Sequence, residues 1–137
     1  KYHLKTIEGI SRPAICGALP SLTSHSYLLD MGANVDCSAD DLLAFAKMAT
    51  LLLQTIENKP KPTVALLNIG EEHSKGNTLV KKVAELLQAD ASINYTGFIE
   101  AHKLYSGVAD IIVCDGFIGN IALKASEVPS PPNILWV

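Results

Sequence analysis

From Ser26 onward the chain alternates short apolar runs with longer amphipathic stretches. The runs are Tyr27 to Met31, Thr63 to Ile69, Ile93 to Ile99 and Ala109 to Cys114. They are too short and too apolar to be helices, and continuous apolar runs are what strands covered on both faces look like. Between them lie segments with apolar positions at helical spacing. Ser38 is placed to cap a helix running to about Glu57, and Asp41 three residues on completes a capping-box pattern. A second helix is expected to begin near Lys75-Gly76-Asn77 and turn Leu79, Val80, Val83, Leu86 and Leu87 inward. A shorter one spans Glu100 to Tyr105 and stops at Gly107, and a last one follows Gly116 with Ile118, Ile121, Ala122 and Ala125 on one face. Strand and helix thus alternate four times, the signature of an α/β fold with a mostly parallel sheet. Residues 1 to 24, with Pro13 and Pro20, read as an approach segment containing one short extended or helical piece. Residues 128 to 137, with Pro129, Pro131 and Pro132, cannot continue the last helix.

Composition narrows the function classes. The 137 residues carry 11 Lys and Arg against 14 Asp and Glu, a net charge of -3, which removes the broad basic field that nucleic-acid binding rests on. Phosphate remains open as a ligand, because backbone amides bind it locally. Mean hydropathy is positive, at +0.23, yet the most apolar stretch, Leu42 to Ile56, is broken by Lys47 and Gln54 and falls short of the ~20 residues a bilayer needs. Lys1-Tyr2-His3-Leu4-Lys5 offers neither an initiator Met nor a signal core, and reads as a cut from a longer chain. Three widely spaced cysteines, Cys16, Cys37 and Cys114, form neither a disulfide framework nor a metal-type pair, which fits a reducing cytoplasm.

In a parallel α/β sheet, ligands bind beyond the carboxyl ends of the strands. Three loops there hold the candidate chemistry: Asp30 to Cys37, Asn68 to Asn77 and Asp115 to Lys124. Asn68 ends an apolar strand and needs a partner, either a ligand or the next loop. Glu71, Glu72 and Lys75 are close enough for an ion pair at the start of the helix; alternatively Gly70 and Gly76 open the backbone to an anion beside Lys75. Asp115 is a natural helix cap, while Gly119 in the first helical turn costs ~1 kcal/mol relative to Ala unless close packing or a ligand requires it. Cys37 and Cys114 lie near the same edge without a well-placed base, and are expected to be inert thiols.

Four segments in order resemble one family: Ser11-Arg12-Pro13-Ala14; Tyr27 through Asp30-Met31-Gly32-Ala33-Asn34-Val35-Asp36-Cys37; Leu67-Asn68-Ile69-Gly70-Glu71-Glu72 with Lys75-Gly76-Asn77; and Val113-Cys114-Asp115-Gly116-Phe117-Ile118-Gly119-Asn120-Ile121-Ala122-Leu123-Lys124. Together they are similar to the phosphate acyltransferases of bacterial phospholipid synthesis, the PlsX family, over about residues 9 to 127. The resemblance implies a three-layer α/β/α fold related to isocitrate dehydrogenase and phosphotransacetylase. It implies transfer of a fatty acyl group from acyl carrier protein to inorganic phosphate, the acyl phosphate serving a glycerol-3-phosphate acyltransferase downstream. It also implies a homodimer in the cytoplasm, docked peripherally on the inner membrane face, with no metal and no cofactor. On this reading Lys75, Asn68, Asp115 and Asn120 are the catalytic candidates: Lys75 for charge, the asparagines for orientation, Asp115 for positioning or the proton. Asn34, Asp36, Gly70, Glu71, Glu72, Gly76, Asn77, Gly116, Phe117, Gly119 and Lys124 are the substrate-binding candidates.

Members of that family are longer, so residues 1–127 are expected to be the central part of an incomplete domain, with 128–137 a divergent Pro-rich tail. Two other readings stand beside acyl transfer to phosphate: an inactive folded fragment, and a phosphotransacetylase-like enzyme using acyl-coenzyme A.

Overall fold

The helices begin where the sequence supplies caps. The computed structural model describes residues 11–22 and 24–127; the first ten residues of the approach segment and the 128–137 tail lie outside them. Strand β1 (Cys16–Pro20) pairs antiparallel with β2 (His25–Leu29). Helix α1 (Ala39–Ile56) leads to β3 (Thr63–Asn68), and helix α2 (Thr78–Ala89) to β4 (Asn94–Glu100). A 3-10 turn at Ala101–Lys103 precedes β5 (Ile111–Val113), and helix α3 (Gly116–Ser126) follows. The sheet order is β1-β2-β5-β3-β4, with every pairing parallel except β1 to β2. At α1 the Ser38 hydroxyl accepts from the Asp41 amide at 3.1 Å and the Asp41 carboxylate accepts from the Ser38 amide at 2.9 Å, the full reciprocal capping box.

Alternation along the strands divides the interior in two. Leu29, Val64, Leu66, Ile111 and Val113 face α1 and α2, packing on Leu42, Phe45, Leu53, Val83 and Leu87. Leu28, Ala65, Leu67 and Ile112 face the other way, where Leu19, Ile99, Leu104 and Ala109 join them and Ala122 and Leu123 of α3 pack from above. Helices therefore lie on both faces of a mostly parallel sheet, an α/β/α arrangement, with one face covered by two helices and the other by one.

The short piece expected in the approach segment is a regular edge strand, β1, whose only buried residue is Leu19. Other details depart from expectation. Helix α2 starts at Thr78, later than expected, because the Asn77 side chain accepts from the Val80 amide at 2.9 Å and fixes the cap there. Of its expected inward residues Val83 and Leu87 are buried, while Leu79, Val80 and Leu86 are only half-buried. Helix α3 does not bury the face of Ile118, Ile121 and Ala125: Ile118 is 41% and Ile121 53% exposed, and Ala125 is exposed too. Its buried residues are Gly116 and Gly119, because the helix lies so close to the preceding loop that only glycine fits. The helix expected over Glu100 to Tyr105 is a single 3-10 turn.

Candidate functional site

The loop after β2 is organised by Asp30, a residue outside the predicted site. Its side chain is fully buried. The carboxylate accepts from the backbone amides of Ile15 (3.1 Å), Gly32 (3.1 Å), Ala33 (2.9 Å) and Asn34 (2.8 Å), and from Asn34 Nδ2 (2.8 Å). Burial opposes its ionisation, but these donors outweigh burial and hold the carboxyl below the usual carboxylate range. Asn34 spends its other N–H on the Pro13 carbonyl at 2.7 Å, so both side-chain donors are engaged. Asp36 is exposed, and its carbonyl accepts from Arg12 Nη1 at 2.7 Å.

Helix α3 is docked on this loop by its glycines. The Gly116 amide donates to the Asn34 carbonyl at 2.8 Å, and a Cβ on Gly116 would fall 2.3 Å from that same oxygen. At Gly119 a Cβ would fall 1.6 Å from the Asp30 carbonyl oxygen. The close packing proposed from Gly119 is therefore backbone against backbone. One turn of contact also sets Asn120 beside Gly32, whose φ of +130° favours glycine. Asp115 caps the helix, its Oδ1 accepting from the Ile118 amide at 2.8 Å. Phe117 and Lys124 are exposed, Lys124 in the last turn, on the order of 12 Å along the axis from Gly116 at 1.5 Å per residue.

The loop after β3 closes on itself through Asn68. That side chain is 8% exposed; its Oδ1 accepts from the Ile69 amide at 2.8 Å and its Nδ2 donates to the Lys75 carbonyl at 3.1 Å. Gly76, at φ +93°, passes so near that a Cβ would meet Asn68 Oδ1 at 2.4 Å. Of the two partners left open for Asn68, the next loop is the one it has. Lys75 is exposed, and among the described residues its ammonium lies within 4.0 Å of no carboxylate. The expected ion pair is thus not formed: Glu71 pairs with Lys103 across 32 positions, and Glu72 lies beside the buried Gly70.

Between these loops a cleft of about 540 Å³ opens at the carboxyl ends of β3, β4 and β5. Asn68, Gly76, Asn77 and Asp115 line it together. Asn34, Asn120, Lys75 and Lys124 do not. Residues absent from the predicted site line it as well: Leu42 of α1, Leu79 and Val80 of α2, Ile118 of α3, and Glu100 and His102 from the end of β4. The His102 Nδ1 is 3.4 Å from Glu100 Oε2. The apolar spacing of α2 was a signal for Leu79 and Val80, but periodicity assigned them to the core.

Burial disfavours the thiolate at the two cysteines near this edge. Burial, with Asp115 and Asp30 adding to it, pushes Cys114 far up, and burial likewise raises Cys37 although the Gly116 amide pulls the other way. Among the described residues no group of three or more His, Cys, Asp or Glu is placed to hold a metal ion, and no helix is long and apolar enough to cross a membrane.

Residues 1–130 match the family described as "Fatty acid synthesis protein". The chain belongs to that family. Among curated proteins it is 54% identical to the phosphate acyltransferase of Methylococcus capsulatus and 54% to that of Pseudomonas syringae pv. tomato. It is 52% identical to that of Legionella pneumophila (strain Corby). Each alignment covers 127 residues, 93% of this chain and 37% of the relative. The chain thus spans about 37% of the length of these relatives. The part of the fatty acid synthesis protein family matched here includes all three strand-end loops and the cleft between them.

Proposed function

We propose that this segment belongs to an acyltransferase that moves a fatty acyl group from an acyl carrier protein thioester to inorganic phosphate. The observation that supports it is the convergence of Asn68, Gly76, Asn77 and Asp115 on one cleft beyond the strand ends, in a chain whose relatives are named phosphate acyltransferase. In the reaction a phosphate oxygen bonds to the thioester carbonyl carbon and the carbon–sulfur bond breaks. The thiolate takes up a proton, leaving acyl phosphate and the free thiol of the carrier. Such a step needs two reactants held in line and fixed donors for the developing oxyanion, rather than a covalent nucleophile.

The roles assigned to the candidate residues follow from which of their polar atoms are engaged. Asn34 and Asn68 have their amide donors engaged within the protein and act by fixing the loops. Lys75 and Asn120, both exposed, supply charge and a donor to phosphate or oxyanion. Asp115 has one oxygen on the helix cap and the other available to position those groups or hold the proton. Gly70, Gly76, Gly116 and Gly119 permit close backbone approach; Asp36, Glu71, Glu72, Asn77, Phe117 and Lys124 border the substrates. The whole enzyme acts as a homodimer at the inner membrane face, handing acyl phosphate to a glycerol-3-phosphate acyltransferase.

The test uses a full-length version supplied with acyl carrier protein thioester and phosphate. Lys75→Ala is expected to lower acyl-phosphate formation at least tenfold at sub-saturating phosphate; unchanged formation would remove the lysine from the mechanism. Preference for acyl-coenzyme A over the carrier thioester would favour a phosphotransacetylase-like enzyme instead.

A further inference from the structure

The polar and apolar parts of the cleft are segregated, and that segregation identifies what its inner part holds. Its floor is formed by Leu42 and Leu66, 1% and 0% exposed, and its walls by the half-buried Leu79 and Val80 and by Ile118. None of these side chains carries a polar atom. The polar groups lie at the mouth and are partly engaged: Asn68 through Ile69 and Lys75, Asn77 Oδ1 through Val80, one Asp115 oxygen through Ile118, and Glu100 beside His102, which leaves the second Asp115 oxygen to the headgroup. A peptide laid into this cleft would bring a backbone donor and acceptor with every residue and find few partners for them. A saturated hydrocarbon chain brings none. At the roughly 30 Å³ that a water-sized group occupies in a liquid, 540 Å³ has room for a chain of about ten to sixteen carbons with the open mouth left to the headgroup.

We infer that the cleft between α1, α2 and α3 is the subsite for the aliphatic tail of the acyl group, and that Leu79 and Ile118, the wall residues from α2 and α3, set the chain length it accepts. The inference rests on the acyl-transfer reading above and adds to it a place for the tail and two specificity-determining side chains. With the tail lying between Leu79 and Ile118, the carbonyl end emerges where Asn68 and Asp115 border the mouth. Both wall residues are partly exposed, Ile118 at 41%, so enlarging either narrows the cleft.

The test compares octanoyl, dodecanoyl and palmitoyl thioesters of acyl carrier protein in a full-length version and in its Leu79→Trp and Ile118→Trp variants. Each methylene kept out of the cleft costs roughly a factor of four. The expected result is therefore a fall in kcat/KM of at least tenfold for palmitoyl relative to octanoyl, with KM for phosphate within twofold. An equal fall for all three donors, or an unchanged ratio, would overturn the assignment. A second measurement needs no turnover: fluorescence of 11-(dansylamino)undecanoic acid should rise on binding to the unmodified enzyme and be weakened at least fivefold by either Trp variant. If no donor yields acyl phosphate, the functional reading fails, and the fluorescence result still decides the subsite. Probe binding that both Trp variants leave unaltered would overturn it.

Discussion

Gly119→Ala distinguishes two accounts of the last helix by the sign of one number. If Gly119 were an incidental glycine in a helix, alanine would stabilise the protein by up to ~1 kcal/mol, through helix propensity and a less flexible unfolded chain. The structure demands the opposite. The new Cβ would sit 1.6 Å from the Asp30 carbonyl oxygen, 2.7 Å from its carbon and 3.0 Å from Met31 Cα, all backbone atoms without a rotamer to change. Restoring an ordinary 3.4 Å contact requires α3 to retreat by about 1.8 Å. That retreat stretches the 2.8 Å bond from the Gly116 amide to Asn34, worth ~0.5 to 1.5 kcal/mol, and loosens Ala122 and Leu123 from the sheet. Overpacking of this kind costs ~1 to 3 kcal/mol. Set against the gain in propensity, the net is a loss of about 2 kcal/mol, or roughly 3 °C in Tm for a protein of several hundred residues. Thermal unfolding measures the total. Hydrogen exchange by mass spectrometry locates it, with faster exchange expected in peptides covering residues 28–36 and 115–123 and none elsewhere in the segment. A rise in Tm, or unchanged exchange at those peptides, would refute the backbone contact.

Asp30→Asn removes the charge that five donors share, and should cost about 1.5 to 3 kcal/mol, the scale for hydrogen bonds to a charged group. Because the folded carboxyl titrates below its unfolded value, its stabilisation is present above about pH 4 and is lost as pH falls through the folded value; the variant should show a shallower acid limb in stability-versus-pH curves, with Asp41, Asp90 and Asp110, also held low, keeping the remainder. An acid limb as steep as that of the unmodified protein would show that Asp30 is not ionised in the fold. Ser38→Ala breaks the reciprocal cap of α1 and should lower stability by ~0.5 to 2 kcal/mol, read as a shift in denaturant midpoint without a change in slope.

How much of this was legible depended on whether the deciding contact was local. The cap of α1 was, because Ser38 and Asp41 are three residues apart and satisfy each other. Strands β3 and β5 were legible because they are covered on both faces, which leaves an apolar run in the sequence. Strand β1 was legible only as one short extended or helical piece: it is an edge strand with one buried residue, and among the described residues it pairs with β2 alone. The Glu71 to Lys103 pair was not, since 32 residues separate its members while Lys75 lies nearby in sequence. In α3 the periodicity of Ile118 and Ile121 misled, because it assumes that bulk seeks the core. The signal that opposed it was present in Gly116 and Gly119, three apart on one face, where a helix meets backbone instead of side chains.

The same contacts change how the candidate site is read. Sequence position put Asn34, Asn68 and Asp115 among the groups that would meet a ligand, and each is found holding its own loop or helix in place. They remain necessary to function under the acyl-transfer reading, but through geometry: Asp30 and Asn34 fix the loop on which α3 rests, and Gly116 and Gly119 carry that position to Asn120. A displacement of α3 would move Asp115, Ile118 and Asn120 together, and with them one wall of the cleft. Gly119→Ala in the full-length version should therefore lower kcat for every acyl donor and, by moving Ile118, also alter the preference among them, whereas Ile118→Trp alters the preference alone. Loss of discrimination between donors in the Gly119→Ala variant, with kcat preserved, would show that helix and loop do not move as one unit.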